Sequence, residues 1–163
     1  MSDTQTSVVL PIPTPGSLPK AELSAQEVFE RVGGAENGGI EAFAALADVF
    51  YAGVESDPLL RPMYPEGAEA LAEARENLAL FLMQYFGGPA IYAEKRGHPR
   101  LRMRHFPFTI GEAERDAWLR HMNAAVASVP AFTRAGVDDL MLGYFANAAR
   151  FLQNRASAVQ LGK

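Results

Sequence analysis

The sequence predicts an all-helical protein with a single folded domain. Apolar residues recur at helical spacing over four long stretches, residues that start or stop helices flank these stretches, and none shows the strict apolar and polar alternation of a strand. The chain has 163 residues, of which 48% are hydrophobic, so it can build one core large enough to enclose a flat apolar ligand. A second domain is not expected.

The folded domain is predicted to begin near Ser24. Residues 1–23 are rich in proline and small polar residues, a composition that cannot bury enough surface to offset its ordering entropy, so they predict a flexible leader before a domain over 24–160. The spacing of Ser24 and Glu27 is that of a capping box and predicts the start of a short helix. Gly33-Gly34 is expected to end it.

Two long helices are predicted next. Apolar residues spaced by three and four from Phe43 to Val54 indicate an amphipathic helix that begins near Gly39 and ends at Asp57-Pro58. Three prolines then predict an extended corner at 58–65 that presents Leu59, Leu60, Met63 and Tyr64. The pattern from Leu71 to Tyr85 indicates another helix, which Gly87-Gly88-Pro89 closes.

The second half of the chain begins with an irregular segment. Gly97 and two prolines restrict any helix in residues 90–108 to a turn or two, and we expect chemistry to be located there. A second capping box is predicted at Thr109-Ile110-Gly111-Glu112, opening a helix that ends before Pro130. A last helix is expected over 137–152.

Composition excludes several classes of function. The net charge of -4 disfavours general binding to nucleic acids or anionic membranes, which require a basic surface. The absence of cysteine excludes disulfides, thiolate metal sites and cysteine catalysis. Because the first residues lack the features of a signal peptide and no apolar run approaches about 18 residues, we expect a cytoplasmic protein without a membrane span.

The three histidines differ in their surroundings. His98 precedes a proline in a polar stretch and is expected to be exposed, and His121 lies at the edge of a helical apolar face. His105 stands in an apolar segment and is best placed to enter a core. A lone apolar histidine is more often a core residue than a metal ligand. No second protein ligand stands at metal-binding spacing, so a metal held by this single imidazole would need a macrocycle such as haem.

A basic run precedes His105. Residues 95–104 contain five of the 15 lysines and arginines of the chain. Such a run is ordinarily a solvated face, and nucleic-acid contact is a minor alternative. A third interpretation is that its arginines pair with haem propionates, because guanidinium groups bind carboxylates through planar paired hydrogen bonds.

Three aromatic residues with polar atoms lie on predicted apolar faces or in the corner. Tyr51, Tyr64 and Trp118 could be ordinary core residues. Buried phenol and indole groups nevertheless need an acceptor, and an iron-bound oxygen with partial negative charge would provide one.

Several motifs in this sequence resemble those of the bacterial group II truncated haemoglobins. They are Gly-Gly-Pro at 87–89, Gly-His-Pro-Arg-Leu-Arg-Met-Arg-His at 97–105, Phe-Pro-Phe at 106–108 and Glu-Arg-Asp-Ala-Trp-Leu at 114–119. The resemblance spans residues 26–152, and the string before His105 is its most specific part. It implies a truncated globin-like two-over-two helical sandwich around one haem b, with His105 as the iron ligand.

The resemblance also implies roles for other residues. Those expected to stabilise a bound ligand are Tyr51, Tyr64 and Trp118. Those expected to line the distal pocket are Ala74, Leu78 and Phe81, and the expected propionate contacts are Tyr92, His98, Arg102 and Arg104. The sequence departs from the family in its longer leader, in Asn37-Gly38-Gly39, which looks like an insertion, and in Phe86, where a tryptophan is expected.

Three classes of function follow. The first is reversible binding of oxygen, carbon monoxide or nitric oxide, with slow oxygen release and a role in oxygen transport or sensing. The second is a haem enzyme that turns over nitric oxide, peroxynitrite or peroxide, with nitric oxide dioxygenase-like or peroxidase-like activity and an unidentified reductase. A peroxidase ordinarily has a distal histidine, and Ala74 offers none. The third, a helical nucleic-acid module without haem, leaves the tyrosines and tryptophan unexplained. A homodimer is left open.

Overall fold

The prediction of an all-helical fold is confirmed. The structure is a computed structural model that describes residues 23–98 and 110–154, and this described part contains helices and no strand. The helices are α1 (Val28–Arg31), α2 (Gly39–Glu55), α3 (Ala68–Tyr85), α4 (Ile91–Arg96), α5 (Glu112–Ser128), α6 (Pro130–Arg134) and α7 (Asp138–Leu152), with 3₁₀ turns at Ala25–Glu27 and Arg61–Met63. None of these helices is long and apolar enough to cross a membrane. Residues 1–22 of the predicted leader over 1–23 lie outside the described residues.

The four long helices form two packed pairs. Helix α2 packs against α3 on one side and against α5 on the other, and α5 packs in turn against α7. This is the two-over-two sandwich that the resemblance implied. Phe86, which stands where a tryptophan was expected, is fully buried at the centre, where its ring stacks on Phe43 and meets Phe145 edge on. A phenyl ring therefore fills this position in the core.

The first turn of the domain is fastened to the end of α3. The Ser24 hydroxyl accepts the backbone N–H of Gln26, so the predicted cap is present, although it opens a 3₁₀ turn before α1. The Phe29 N–H donates to the Phe86 carbonyl at 2.9 Å. At Gly87, whose φ is 102°, a Cβ atom would overlap the Gln26 carbonyl. Only glycine lets these two stretches approach so closely.

The glycine-rich stretch after α1 forms a tight turn. Gly34 has a φ of 65° and its N–H donates to the Phe29 carbonyl at 2.9 Å, which ends the helix as predicted. The N–H of Gly39 donates to the Gly34 carbonyl at 2.8 Å, and a Cβ atom there would overlap that carbonyl. The apparent insertion at 37–39 is therefore the compact entry to α2.

The prediction of an extended corner between α2 and α3 is wrong. The Asp57 carboxylate accepts the Leu59 N–H at 2.9 Å, and a 3₁₀ turn follows at Arg61–Met63. Within this curled segment Leu60 is buried with 2% exposure, whereas Leu59 is 42% exposed. Local hydrogen bonds therefore overcome the preference of the prolines for extended backbone.

Two further helix boundaries differ from expectation. The second capping box lies two residues later than predicted, because α5 begins at Glu112 and the N–H of Gly111 donates to Glu114 Oε1 at 2.9 Å. Helix α6 was not predicted, because the sequence pattern indicated only that α5 ends before Pro130. Proline has no N–H to leave unpaired in a first helical turn, so it starts this short helix as well.

Candidate functional site

The two helix pairs line a cleft of about 260 Å³. This volume is close to the lower end of the range for small-molecule sites, about 300–1,000 Å³. Its walls come from α2, α3, α4, α5 and α7 and from the corner after α2, and the lining residues are Phe50, Tyr51, Tyr64, Ala74, Asn77, Leu78, Phe81, Leu82, Tyr92, Arg96, Trp118, Tyr144, Phe145, Ala148 and Leu152. Most of these side chains are apolar or aromatic, as a flat hydrophobic ligand requires.

The structure brings seven of the predicted site residues together in this cleft. They are Tyr51, Tyr64, Ala74, Leu78, Phe81, Tyr92 and Trp118. His98 is exposed and does not line the cleft. The predicted iron ligand His105 and the predicted propionate contacts Arg102 and Arg104 lie outside the described residues, so their roles stay predictions.

An aromatic cluster of Phe50, Tyr51, Tyr64 and Trp118 forms the inner wall of the cleft. The Phe50 ring centroid lies 5.3 Å from that of Tyr51, 6.4 Å from that of Tyr64 and 5.6 Å from that of Trp118. Tyr51 and Tyr64 meet edge to face at 5.4 Å. Edge-to-face contacts place the positive ring edge on the negative ring face, which stabilises these orientations. Phe50, with 1% exposure, therefore holds all three polar aromatic residues in place.

The polar atoms of the aromatic cluster are uncharged donors. Burial raises the pKa of Tyr51 to about 12, an effect that the Arg75 guanidinium partly opposes. Burial also raises the pKa of Tyr64 well above its ordinary range, and the adjacent Tyr51 adds to that shift. Both phenols therefore keep their protons at physiological pH and can donate them in hydrogen bonds.

Helix α3 presents a small residue to the cleft. Ala74, Leu78 and Phe81 recur at helical spacing on one face, as predicted. The neighbouring Arg75 forms an ion pair with Asp48 on α2, with 3.2 Å between Nε and Oδ1. Ala74 carries no acid–base group, so proton donors on the inner wall come from the aromatic cluster.

Three cleft residues with polar side chains, Asn77, Arg96 and Tyr144, were not among the predicted site residues. Asn77 follows Ala74 by three positions on α3, and Tyr144 precedes Ala148 by four on α7, so helical spacing was a signal that could have identified both. Burial raises the pKa of Tyr144, whose ring stacks on that of Tyr85 at 4.2 Å. Arg96 lines the cleft from α4, although it had been grouped only with the general basic run.

The His121 side chain contacts the Asp57 carboxylate. Its Nε2 lies 2.6 Å from Asp57 Oδ2, a contact that ties α5 to the corner after α2. This hydrogen bond, reinforced by the Leu59 N–H, lowers the pKa of Asp57. A Cβ atom at Gly53 would overlap the imidazole Nδ1, so glycine makes room for the ring. Across the described ranges, no group of three or more histidine, cysteine, aspartate or glutamate side chains could hold a metal ion.

Comparison with known proteins identifies chains of the same kind. A sequence model of the family described as bacterial-like globin matches residues 27–149. A group 2 truncated haemoglobin of Bacillus subtilis is 38% identical over 120 residues, which cover 74% of this chain and 87% of that protein. A thermostable haemoglobin of Thermobifida fusca is 50% identical with a TM-score of 0.69, covering 78% of this chain and 96% of that one. The structure of a truncated oxygen-avid haemoglobin of B. subtilis is 35% identical with a TM-score of 0.62, covering 77% and 98%.

Proposed function

Because this chain belongs to the bacterial-like globin family and is a group 2 truncated haemoglobin, whose cofactor is haem b, we propose that it binds oxygen reversibly at a haem iron held by His105 and releases it slowly. Carbon monoxide and nitric oxide are the other ligands that we expect. Binding of diatomic gases is the function common to haem globins, whereas the single ligand His105 and the slow release are specific to this proposal.

The described residues fit this cofactor. Leu78, Phe81 and Phe145 provide apolar walls against which a flat ring system can pack. Asn77 and Arg96 provide polar groups for carboxylates, so Arg96 joins Arg102 and Arg104 as a proposed propionate contact. When bound, haem supplies an iron atom to which a diatomic gas coordinates.

One observation carries the proposal of slow release. The indole N–H of Trp118 and the hydroxyls of Tyr51 and Tyr64, all uncharged donors, meet on one wall of a single cleft. Bound oxygen carries partial negative charge, so these donors would hold it and oppose its escape. A B. subtilis relative described as oxygen-avid is consistent with this function.

A second candidate function is turnover of nitric oxide, peroxynitrite or peroxide. The phenols of Tyr51, Tyr64 and Tyr144 favour it, because all three line the cleft and could supply protons where Ala74 cannot. This function would need electrons from a reductase. That partner, an oxygen-transport role, a homodimer and a cytoplasmic location remain predictions, as does the absence of nucleic-acid binding.

Spectroscopy of the purified protein tests the proposal. Ultraviolet-visible spectra of the ferric, ferrous, oxygen-bound and carbon monoxide-bound forms should show one histidine-ligated haem per chain, and His105→Ala should lose it. His121→Ala is the matched control, because that imidazole contacts Asp57, and it should retain haem. Full haem and an unchanged spectrum in His105→Ala would refute the ligand assignment. Stopped-flow mixing of the oxygen-bound form with nitric oxide separates the two candidate functions.

A further inference from the structure

A polar clasp joins Ile110, two residues before α5, to Asn154, two residues after α7. The N–H of Ile110 donates to Asn154 Oδ1 at 2.8 Å, and the N–H of Asn154 donates to the Ile110 carbonyl at 2.8 Å. Asn154 thus binds both backbone polar groups of one residue that lies 44 positions away in sequence. An isolated helix end would leave such groups to solvent, so this reciprocal pairing fixes the relative position of two chain segments.

The residue before Asn154 reinforces this connection. Arg115 Nη1 donates to Gln153 Oε1 at 2.9 Å, while Arg115 also pairs with Asp116. Two successive residues after α7 therefore bind α5 and its approach: Gln153 contacts Arg115 in the first turn, and Asn154 binds Ile110 just before the helix. Ile110 itself is 7% exposed, so its backbone groups would be costly to leave unpaired.

The polar clasp lies beside the cleft. Ile110, Trp118 and Tyr64 line a second, much smaller cavity of about 40 Å³. Leu152 lines both this cavity and the cleft, so it belongs to the wall between them. In sequence Ile110 follows His105 by five residues. Covalent geometry allows that stretch to span at most about 18 Å, so an anchored Ile110 limits where the imidazole can lie.

We propose that Asn154 is a positioning residue for haem binding. It holds Ile110 at its N–H and carbonyl, and through this residue it restrains both the segment that carries His105 and the start of the helix that carries Trp118. The inference rests on the proposed function, because it takes His105 as the iron ligand. Asn154 itself does not line the cleft.

The test compares two substitutions at this position in the full chain. Asn154→Ala removes the acceptor for the Ile110 N–H, whereas Asn154→Asp keeps an acceptor oxygen. Loss of one hydrogen bond should speed haem transfer to apomyoglobin by about two- to tenfold in the alanine variant, and the aspartate variant should restore most of the difference. Gln153→Ala, which removes the side-chain contact with Arg115 and leaves Asn154 in place, is the control and should have the smaller effect.

Two further measurements separate positioning from general stability. In the ferrous form without gas, the iron–imidazole stretching band in the resonance Raman spectrum should shift or broaden in Asn154→Ala, which mere loss of stability would not cause. In the haem-free protein, hydrogen exchange at the Ile110 amide should be faster in Asn154→Ala than in the wild type. An unchanged rate of haem transfer and an unchanged band in a folded Asn154→Ala variant would overturn the inference. An equal increase in the rate of haem transfer in Asn154→Asp and Asn154→Ala would also overturn it. If the wild type shows no His105-ligated haem, the proposed function fails instead, and the amide exchange still tests the clasp.

Discussion

The inner wall and the mouth of the cleft use polar groups in opposite ways. On the inner wall, Tyr51 is buried, and the half-buried Tyr64 and Trp118 are held by ring contacts. The mouth of the cleft is the part lined by Arg96 and Asn77. Arg96 is exposed and Asn77 is half-buried, so water competes with a ligand for their hydrogen bonds. Hydrogen bonds in the dry interior are worth more than ion pairs at a wet surface. If the proposed function is correct, we expect the inner wall to control gas release and the mouth to contribute only modestly to cofactor retention.

Removing the support of the inner wall should have the largest effect. Phe50→Ala deletes the ring that contacts Tyr51, Tyr64 and Trp118, and should lower the free energy of unfolding by about 3–5 kcal/mol. Val49→Ala is the matched control on the same helix, because Val49 is 37% exposed and should change stability by less than about 0.5 kcal/mol. Urea unfolding measures both, and similar losses would show that the aromatic cluster contributes no special support.

Removing single donors should come next. Trp118→Phe and Tyr51→Phe should speed oxygen dissociation by about one to two decades, since a hydrogen bond to a charged acceptor is worth roughly 1.5–3 kcal/mol. Stopped-flow displacement of oxygen measures the rate, and carbon monoxide release is the control, because its outer atom carries less negative charge. The double variant should fall short of the sum of the single effects, because the donors share one acceptor. Unchanged oxygen release in all three variants would show that these side chains only pack in the core and do not hold bound oxygen.

The contact between His121 and Asp57 is a half-buried case between the two extremes. The His121 hydrogen bond lowers the pKa of Asp57, so its contribution is present above the ordinary titration range of aspartate and is lost as pH falls through the lowered pKa. Wild type should therefore melt at a higher temperature than Asp57→Asn near neutral pH, and the gap should narrow below about pH 4. Melting curves from pH 2 to 7 test this, and a gap that is independent of pH would contradict it.

The smallest effect is expected at the mouth. Arg96→Ala should weaken haem retention by about 0–1 kcal/mol, with the difference fading at high salt, because the side chain is exposed. Lys95→Ala is the control, since Lys95 pairs with Glu76 on α3 and does not line the cleft. Haem transfer at low and high salt measures both. If Arg96→Ala lost as much free energy of haem retention as is expected from removing a buried donor, the proposed difference between inner wall and mouth would be wrong.

The inner wall could be predicted from the sequence and the mouth could not. Helical spacing places Tyr51 and Trp118 on apolar faces whatever the details of packing, and Ala74 and Phe81 share a face of one helix. A surface arginine has no such constraint, so nothing in the basic run distinguished Arg96 from its neighbours.

The turns were also harder to predict than the helices. Proline patterns suggested an extended corner, but the Asp57 side chain accepts a backbone N–H and the chain curls instead. Pairing between Ile110 and Asn154 depends on tertiary contact over a long sequence separation, for which local sequence carries no signal. The helical spacing of apolar residues therefore predicted the fold, whereas individual hydrogen bonds determine the conformation of the turns.

The hydrogen bond from Phe29 to Phe86 has a consequence for synthesis on the ribosome. The first turn of the domain leaves the exit tunnel early, yet its partner carbonyl lies 57 residues later in the chain. At translation rates of about 5–20 residues per second, the nascent α1 waits roughly 3 to 11 s for that partner to be made. During this interval Val28 and Phe29, which the finished core buries completely or nearly so, are open to chaperones. Slow codons between positions 29 and 86 would lengthen this exposure, and fast ones would shorten it.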